Sequence, residues 1–169
     1  EAIPRLEADG LIKTVPQRGL QVAHIDINLI REAFQFRILL EKEAIANFTR
    51  TATDAAIAVL LKDHRDIAEL SRSGQSSAEL DARAQAVDWG MHDAFVDSLG
   101  NSIISNAYRV NSIKMRLINQ KRFRIAGHVK SVMVEHLAIL EAVERRAVDE
   151  AVERLVAHIR NARDRALAV

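Results

Sequence analysis

Asp88, His92, His136 and His158 are polar residues on helix faces that the sequence otherwise fills with apolar side chains. Asp88 and His92 share a stripe with Met91, Phe95 and Leu99. His136 runs with Val132, Ile139 and Val143, and His158 with Leu155, Ile159 and Ala162. Apolar neighbours three or four residues apart mark the core-facing side of an amphipathic helix, so all four groups are expected to be buried. A buried carboxylate needs a partner, and three imidazoles with one carboxylate make a shell for a divalent cation. Each histidine alone is adequately explained as a core residue with a hydrogen-bond partner, and Asp88 with His92 as an intrahelical pair. Four such groups together favour one metal site.

The spacing of the last two histidines constrains the elements that must carry them. On a single straight helix, His136 and His158 would stand ~33 Å apart at 1.5 Å per residue, too far to share an ion. Their midpoint is Ala147, flanked by Arg145-Arg146, cations suited to a helix C-terminus, and Asp149-Glu150, acids suited to a helix start. A helical hairpin closing there sets both imidazoles at one height. Asp88 and His92, one turn apart, can chelate from a third helix.

The rest of the chain divides at its punctuation. Residues 1–9 read as the end of a helix stopped by Gly10. Leu11 to Val15 and Leu20 to Val22 read as strands of a small hairpin around Pro16-Gln17-Arg18-Gly19. From Asp26 onward the period is helical, with helices expected at 27–51, 54–72, 79–98, 102–122, 131–146 and 149–168. The breaks fall at residues 51–54, in the Ser/Gly-rich stretch 71–77, at Gly100-Asn101 and around Gly127. The expected fold is an all-α antiparallel bundle of about six helices preceded by a short helix and a β-hairpin.

Arg37 lies on the stripe of Ile30, Ala33, Leu40 and Ala44, which turns a permanent charge inward. Its fork suits two-point capture of a carboxylate, which would make the metal cavity a receptor for a small organic acid. An ion pair with Glu41, one turn on, explains it equally well. The other histidines stand outside the set: His24, His64 beside Lys62-Asp63 in a charged stretch and expected to be solvated, and His128 in a loop next to Gly127.

Composition bounds the setting. The chain has 169 residues, 49% apolar and 28% charged, as expected for one folded domain with a small appendage. Lys plus Arg number 24 against 23 Asp plus Glu, too even for a general polyanion-binding surface. There is no cysteine, so a metal must be held by nitrogen and oxygen. No apolar run approaches the ~20 residues of a membrane span. With no signal-peptide pattern at Glu1, a cytoplasmic protein is expected.

The chain resembles the FadR branch of the GntR transcriptional regulators, whose C-terminal effector-binding helical domain is called FCD. Glu1-Ala2-Ile3-Pro4-Arg5-Leu6-Glu7-Ala8-Asp9-Gly10-Leu11-Ile12 resembles the end of the recognition helix and first wing strand of a winged helix-turn-helix, and Arg18-Gly19 its wing tip. Arg37-x-x-Leu40-Glu41-x-x-Ala44 resembles the opening FCD helix, and Asp88-x-x-x-His92, Gly100-Asn101, Glu135-His136 and His158 follow in the family's order and spacing. The resemblance implies winged-domain residues at 1–22, a linker at 23–27 and an FCD domain at 28–169. It implies a homodimeric, ligand-responsive regulator of operator DNA, with Arg18 and Gly19 at the DNA and Arg37 at the effector. Asp88, His92, His136 and His158 would bind a divalent metal whose coordination an effector carboxylate completes. Three nitrogens and one oxygen suit Zn2+ first, while Ni2+, Co2+, Fe2+ and Mn2+ fit the same shell. The first helices of a winged domain are missing, so the chain is expected to be part of a longer protein and to bind DNA poorly alone. Pro4 inside the recognition-helix match departs from the pattern.

An enzyme reading stands beside this one, because His92-Asp93 spells the dipeptide of the helical HD-type phosphohydrolases. It requires Asp93 to bind metal, yet Asp93 is about 100° around the helix from His92. A third reading is a structural metal in an interaction domain.

Overall fold

The computed structural model describes residues 2–22, 24–72, 77–121, 125 and 127–168. Elements follow the expected order: α1 (Ala2–Ala8), β1 (Ile12–Val15), β2 (Gly19–Val22), α2 (Ile27–Thr51), α3 (Asp54–Arg72), α4 (Ala78–Asp97), α5 (Ser102–Lys121), α6 (Val129–Glu144) and α7 (Val148–Leu167). Of the sequence expectations, Ala23 of the linker, the middle of the 71–77 break and the helix end at 122 lie outside the described residues.

Local chemistry accounts for the boundaries. Asp26 caps α2 by accepting from the Leu29 amide at 2.8 Å, and Ser77 caps α4 through Leu80 at 3.0 Å. Gly10 ends α1 at φ +68°, with its amide on the Glu7 carbonyl and the Leu11 amide on the Leu6 carbonyl, a closure that requires a left-handed residue. The turn between α6 and α7 closes in the same way, through Arg146→Val143 and Ala147→Ala142 backbone bonds. Here the left-handed position, φ +58°, is taken by Arg146. Its side chain compensates by donating to the Thr49 carbonyl at 2.9 Å and to Asp54 Oδ1 at 2.6 Å, pinning the turn to the end of α2.

β1 and β2 form an antiparallel pair in which Thr14 faces Leu20 and Val15 faces Gly19. Arg18 is exposed in the connecting turn. This small unit meets the bundle at α5, where a Cβ placed on Gly10 would lie 3.8 Å from Lys114 Nζ. Ile25, just before α2, is buried in the main core.

In the bundle, α2 lies against α7, α4 and α5, while α3 lies against α6 and α4, and α6 pairs with α7. The core is split into two apolar clusters. One holds Ile57, Leu61, Phe95, Ile139, Leu140 and Leu155 among others. The second holds Ile67, Ala68, Leu80, Ala84, Val129, Val132 and Met133. On α3 the change falls at His64, on α4 around Asp88, and on α6 at His136, so a polar layer separates the clusters. Phe95 backs that layer, with its ring 5.1 Å from Phe48 and 6.2 Å from His92. Phe95→Ala is expected to cost about 3–5 kcal/mol, measured by denaturant unfolding. A loss under 1 kcal/mol would mean that the layer does not depend on its apolar backing.

Candidate metal centre

Three helices deliver the converging groups. One turn of α4 presents Asp88 and His92, and the α6–α7 hairpin brings His136 and His158 face to face with Nε2 atoms 3.2 Å apart. Asp88 Oδ1 lies 3.3 Å from His136 Nε2 and 3.9 Å from His92 Nε2. One ligand atom from each of the four residues falls within 4.8 Å of every other. The His92 and His158 rings stack at 5.5 Å, and both meet His136 edge-on.

The donor chemistry fits a cation. His92 Nε2 is buried without a hydrogen-bond partner, although burying an unpaired polar atom is costly. His92 Nδ1 faces Glu41 Oε2 at 2.6 Å, and His158 Nδ1 faces Glu135 Oε2 at 2.6 Å. Burial alone would raise both carboxyls, but Arg37 and His92 around Glu41, and His158 and Arg165 around Glu135, hold each at about 2. As carboxylates they only accept, so both histidines donate from Nδ1 and direct Nε2 inward. Asp88, expected to be buried, is half-buried at the mouth of the cluster; desolvation favours raising it, yet its hydrogen bond with His136 and the nearby positive charges hold it well below the usual range. Burial, then the neighbouring His136, pushes His158 down to about 3, and burial lowers His136 against the pull of Asp88. A carboxylate and neutral imidazoles are the states that bind metal.

Arg37 combines both sequence readings. Its Nε donates to Glu41 Oε1 at 2.5 Å, the one-turn ion pair. Among the described residues its terminal nitrogens make no hydrogen bond, and Arg37 lines two clefts beside the centre. One cleft runs past Trp89, His92, Asp93, Tyr108 and Asn111. The other passes Gln85, Asp88, Met115 and His158.

Sequence reasoning missed three roles. Glu41 is fully buried and joins Arg37, His92 and the Tyr108 hydroxyl, which donates to Oε1 at 3.0 Å. Burial and Glu41 raise the Tyr108 phenol well above its ordinary value, so it remains a donor. Glu135 orients His158 and also accepts from Asn161 and Arg165. His64, expected in solvent, is fully buried, with its ring 5.2 Å from His136. The signal was present, because Ile57, Leu61, His64 and Ile67 are three or four residues apart. The charges of Lys62, Asp63, Arg65 and Asp66 belong to the opposite, exposed face. His24 and His128 are exposed. Asp93 lies in the first cleft and is not among the four converging residues.

A family model described as FCD domain matches residues 32–161. The Nta operon transcriptional regulator of Aminobacter aminovorans is 27% identical over 173 residues, covering 100% of this chain and 76% of the relative. Among solved structures, McbR/YncC of E. coli superposes with a TM-score of 0.79 at 13% identity, over 95% of this chain and 79% of that one. The Zn2+-bound FCD domain of TM0439 superposes with a TM-score of 0.69 at 19% identity, over 86% and 96%.

The buried rings set an acid limit. Burial holds His64 at about 4 and His158 at about 3, whereas both take a proton near 6.5 when unfolded. Below 6.5 the unfolded state binds more protons, so stability falls with pH by about 1.4 kcal/mol per unit for each ring. The Glu41 and Glu135 carboxylates add a further loss below ~4.5. The melting temperature of chelator-treated protein should therefore fall between pH 7 and pH 5. A flat profile would show that the folded core already holds those protons.

Proposed function

The chain belongs to the FCD domain family, and on that premise we propose that it is the sensing part of a DNA-binding regulator, gated by a divalent metal and a small carboxylate. The resemblance to FCD-containing GntR-type regulators is borne out, and the all-helical bundle that follows the two-strand appendage has the FCD fold. The protein is a transcriptional regulator with an FCD domain.

The observation that carries the finer reading is the convergence of Asp88 Oδ1 with three imidazole nitrogens beside clefts lined by Arg37. In it Asp88, His92, His136 and His158 hold the ion, with Zn2+ favoured by the donor set. One carboxylate leaves a divalent ion with excess positive charge, and Arg37, whose charge Glu41 balances, still offers its terminal nitrogens to the clefts. The ligand is therefore an anion, and a carboxylate can bridge the ion and the guanidinium.

Residues 1–22 are assigned to the end of a winged domain, with Arg18 and Gly19 at the DNA, and 28–169 to the sensor. Support for coupling comes from α5. Its Asn111, Ser112, Met115 and Arg116 line the first cleft, and its Lys114 meets the Gly10 turn. A ligand that shifts α5 or α2 would move the winged unit and so change how a homodimer spans two half-sites.

Titration calorimetry of chelator-treated protein tests the centre. One equivalent of Zn2+ is expected, lost in Asp88→Asn and His136→Ala. A panel of organic acids is then titrated into the Zn2+ form and into Arg37→Lys, which keeps the positive charge beside Glu41 but not the fork. Affinity for the best acid should fall about tenfold or more, as for a charge-assisted contact of ~1.5–3 kcal/mol, with zinc retained. Equal acid affinity would confine Arg37 to its ion pair.

In the regulator with its complete DNA-binding domain, operator DNA should change acid affinity by the factor by which the acid changes operator affinity. Equal acid affinities with and without operator would reject the coupling.

A further inference from the structure

His64 is the one buried histidine of the polar layer outside the four converging residues, and its hydrogen-bond state is unambiguous. Its Nδ1 lies 2.7 Å from the Leu60 carbonyl oxygen. A carbonyl can only accept, so Nδ1 carries the proton and Nε2 of the neutral ring is a lone pair. That Nε2 is buried with no partner.

His136 presents the complementary vacancy. A histidine that ligates metal through one ring nitrogen donates the proton on the other to an acceptor, which fixes the tautomer and the ring plane. His92 has Glu41 for this purpose and His158 has Glu135, each at 2.6 Å. His136 Nδ1 is buried and unpartnered, and the ring nearest it outside the four is that of His64, edge-on at 5.2 Å between centroids with planes 65° apart.

The two nitrogens are unpaired for a chemical reason. His136 Nε2 faces the Asp88 carboxylate at 3.3 Å and His158 Nε2 at 3.2 Å. His158 already donates from Nδ1 to Glu135, so its Nε2 is an acceptor, as is Asp88. His136 therefore keeps its single proton on Nε2, which leaves Nδ1 a lone pair, as Nε2 of the neighbouring His64 ring is. If His136 held a metal through Nε2, that proton would leave to solvent and Nδ1 would take one up, so the ring would stay neutral. Nδ1 is then a donor, Nε2 of the neighbouring His64 ring is an unpaired acceptor, and the broad χ2 well of an imidazole lets the rings turn to make the contact.

We propose that His64 is the positioning partner of His136, accepting its Nδ1–H at Nε2 once a metal occupies Nε2 of His136. This rests on the metal reading of the four converging residues. The relay Leu60 C=O, His64, His136 then does for α6 what Glu41 and Glu135 do for α4 and α7.

The test uses 15N-histidine-labelled protein with and without one equivalent of Zn2+. In the Zn2+ form, a slowly exchanging His136 Hδ1 with scalar coupling from His136 Nδ1 to His64 Nε2 is expected, and it should vanish on chelation. Two variants accompany it: His64→Phe keeps ring volume without an acceptor, and His64→Gln restores one through its carbonyl oxygen. His64→Phe should weaken Zn2+ by about 10–100-fold at unchanged stoichiometry, with the visible spectrum of the Co2+ form unaltered. His64→Gln should recover most of that loss. His64→Phe removes both the unpaired Nε2 and the Nδ1–H bond to Leu60, so a merely structural role would lower its metal-free melting temperature and leave Zn2+ affinity unchanged. Unchanged Zn2+ affinity in His64→Phe, an altered Co2+ spectrum marking a direct ligand, or no coupling in the wild-type Zn2+ form would overturn the proposal. Failure of wild-type protein to take up stoichiometric metal would overturn the metal reading and this one with it. If His64→Phe does not fold, the wild-type coupling decides alone.

Discussion

The Glu41 carboxylate is the group on which the interior depends. It has no access to water and would be prohibitively costly to bury as a lone charge. Three partners make it tolerable: the Arg37 guanidinium, the His92 imidazole and the Tyr108 hydroxyl. These come from α2, α4 and α5, so one anion ties three helices at the layer between the two apolar clusters. Removing any partner leaves a charge short of compensation, and the cost appears in the helices as well as in the site. Because Glu41 holds both Arg37 and His92, the groups assigned to acid and metal share a single counter-charge.

Nε2 of His92, Nδ1 of His136 and Nε2 of His64 are all buried without partners, although native interiors satisfy nearly every such atom. The apolar clusters on either side supply the packing that keeps the rings together. A cation bound there, as proposed, would accept the inward lone pairs and neutralise Asp88, so its binding energy would pass directly into fold stability. The layer is then a place where stability depends on what is bound.

Much of this was legible in the sequence because periodicity and punctuation are local signals. The helix boundaries at Asp26, Asp54 and Gly100 follow from capping and turn chemistry, and the hairpin about Ala147 from a distance argument on two histidines. Asp88, His92, His136 and His158 could be singled out because each interrupts an apolar stripe. The start of α6 at Val129, two residues before its expected position, reflects a turn at Gly127 shorter than a glycine break implies. His64 went unread because its flanking charges outweighed a stripe of the same quality. The network of Glu41 could be read only as far as Arg37. Periodicity reveals its neighbour Arg37 one turn away, but His92 and Tyr108 stand 51 and 67 residues further on, and only the packing of α4 and α5 brings them near.

The turn between α6 and α7 carries a consequence for how such a chain can change over evolutionary time. Surface connections ordinarily absorb insertions and deletions with little penalty. This one fixes the level at which His136 meets His158, and it is bolted to Thr49 and Asp54 by a residue in an unusual backbone conformation. A single residue added there would disturb both the height and the rotation of one imidazole relative to the other. Homologous chains that retain both histidines should therefore hold this segment at constant length while their other connections drift, and a length change here should coincide with loss of one of the pair.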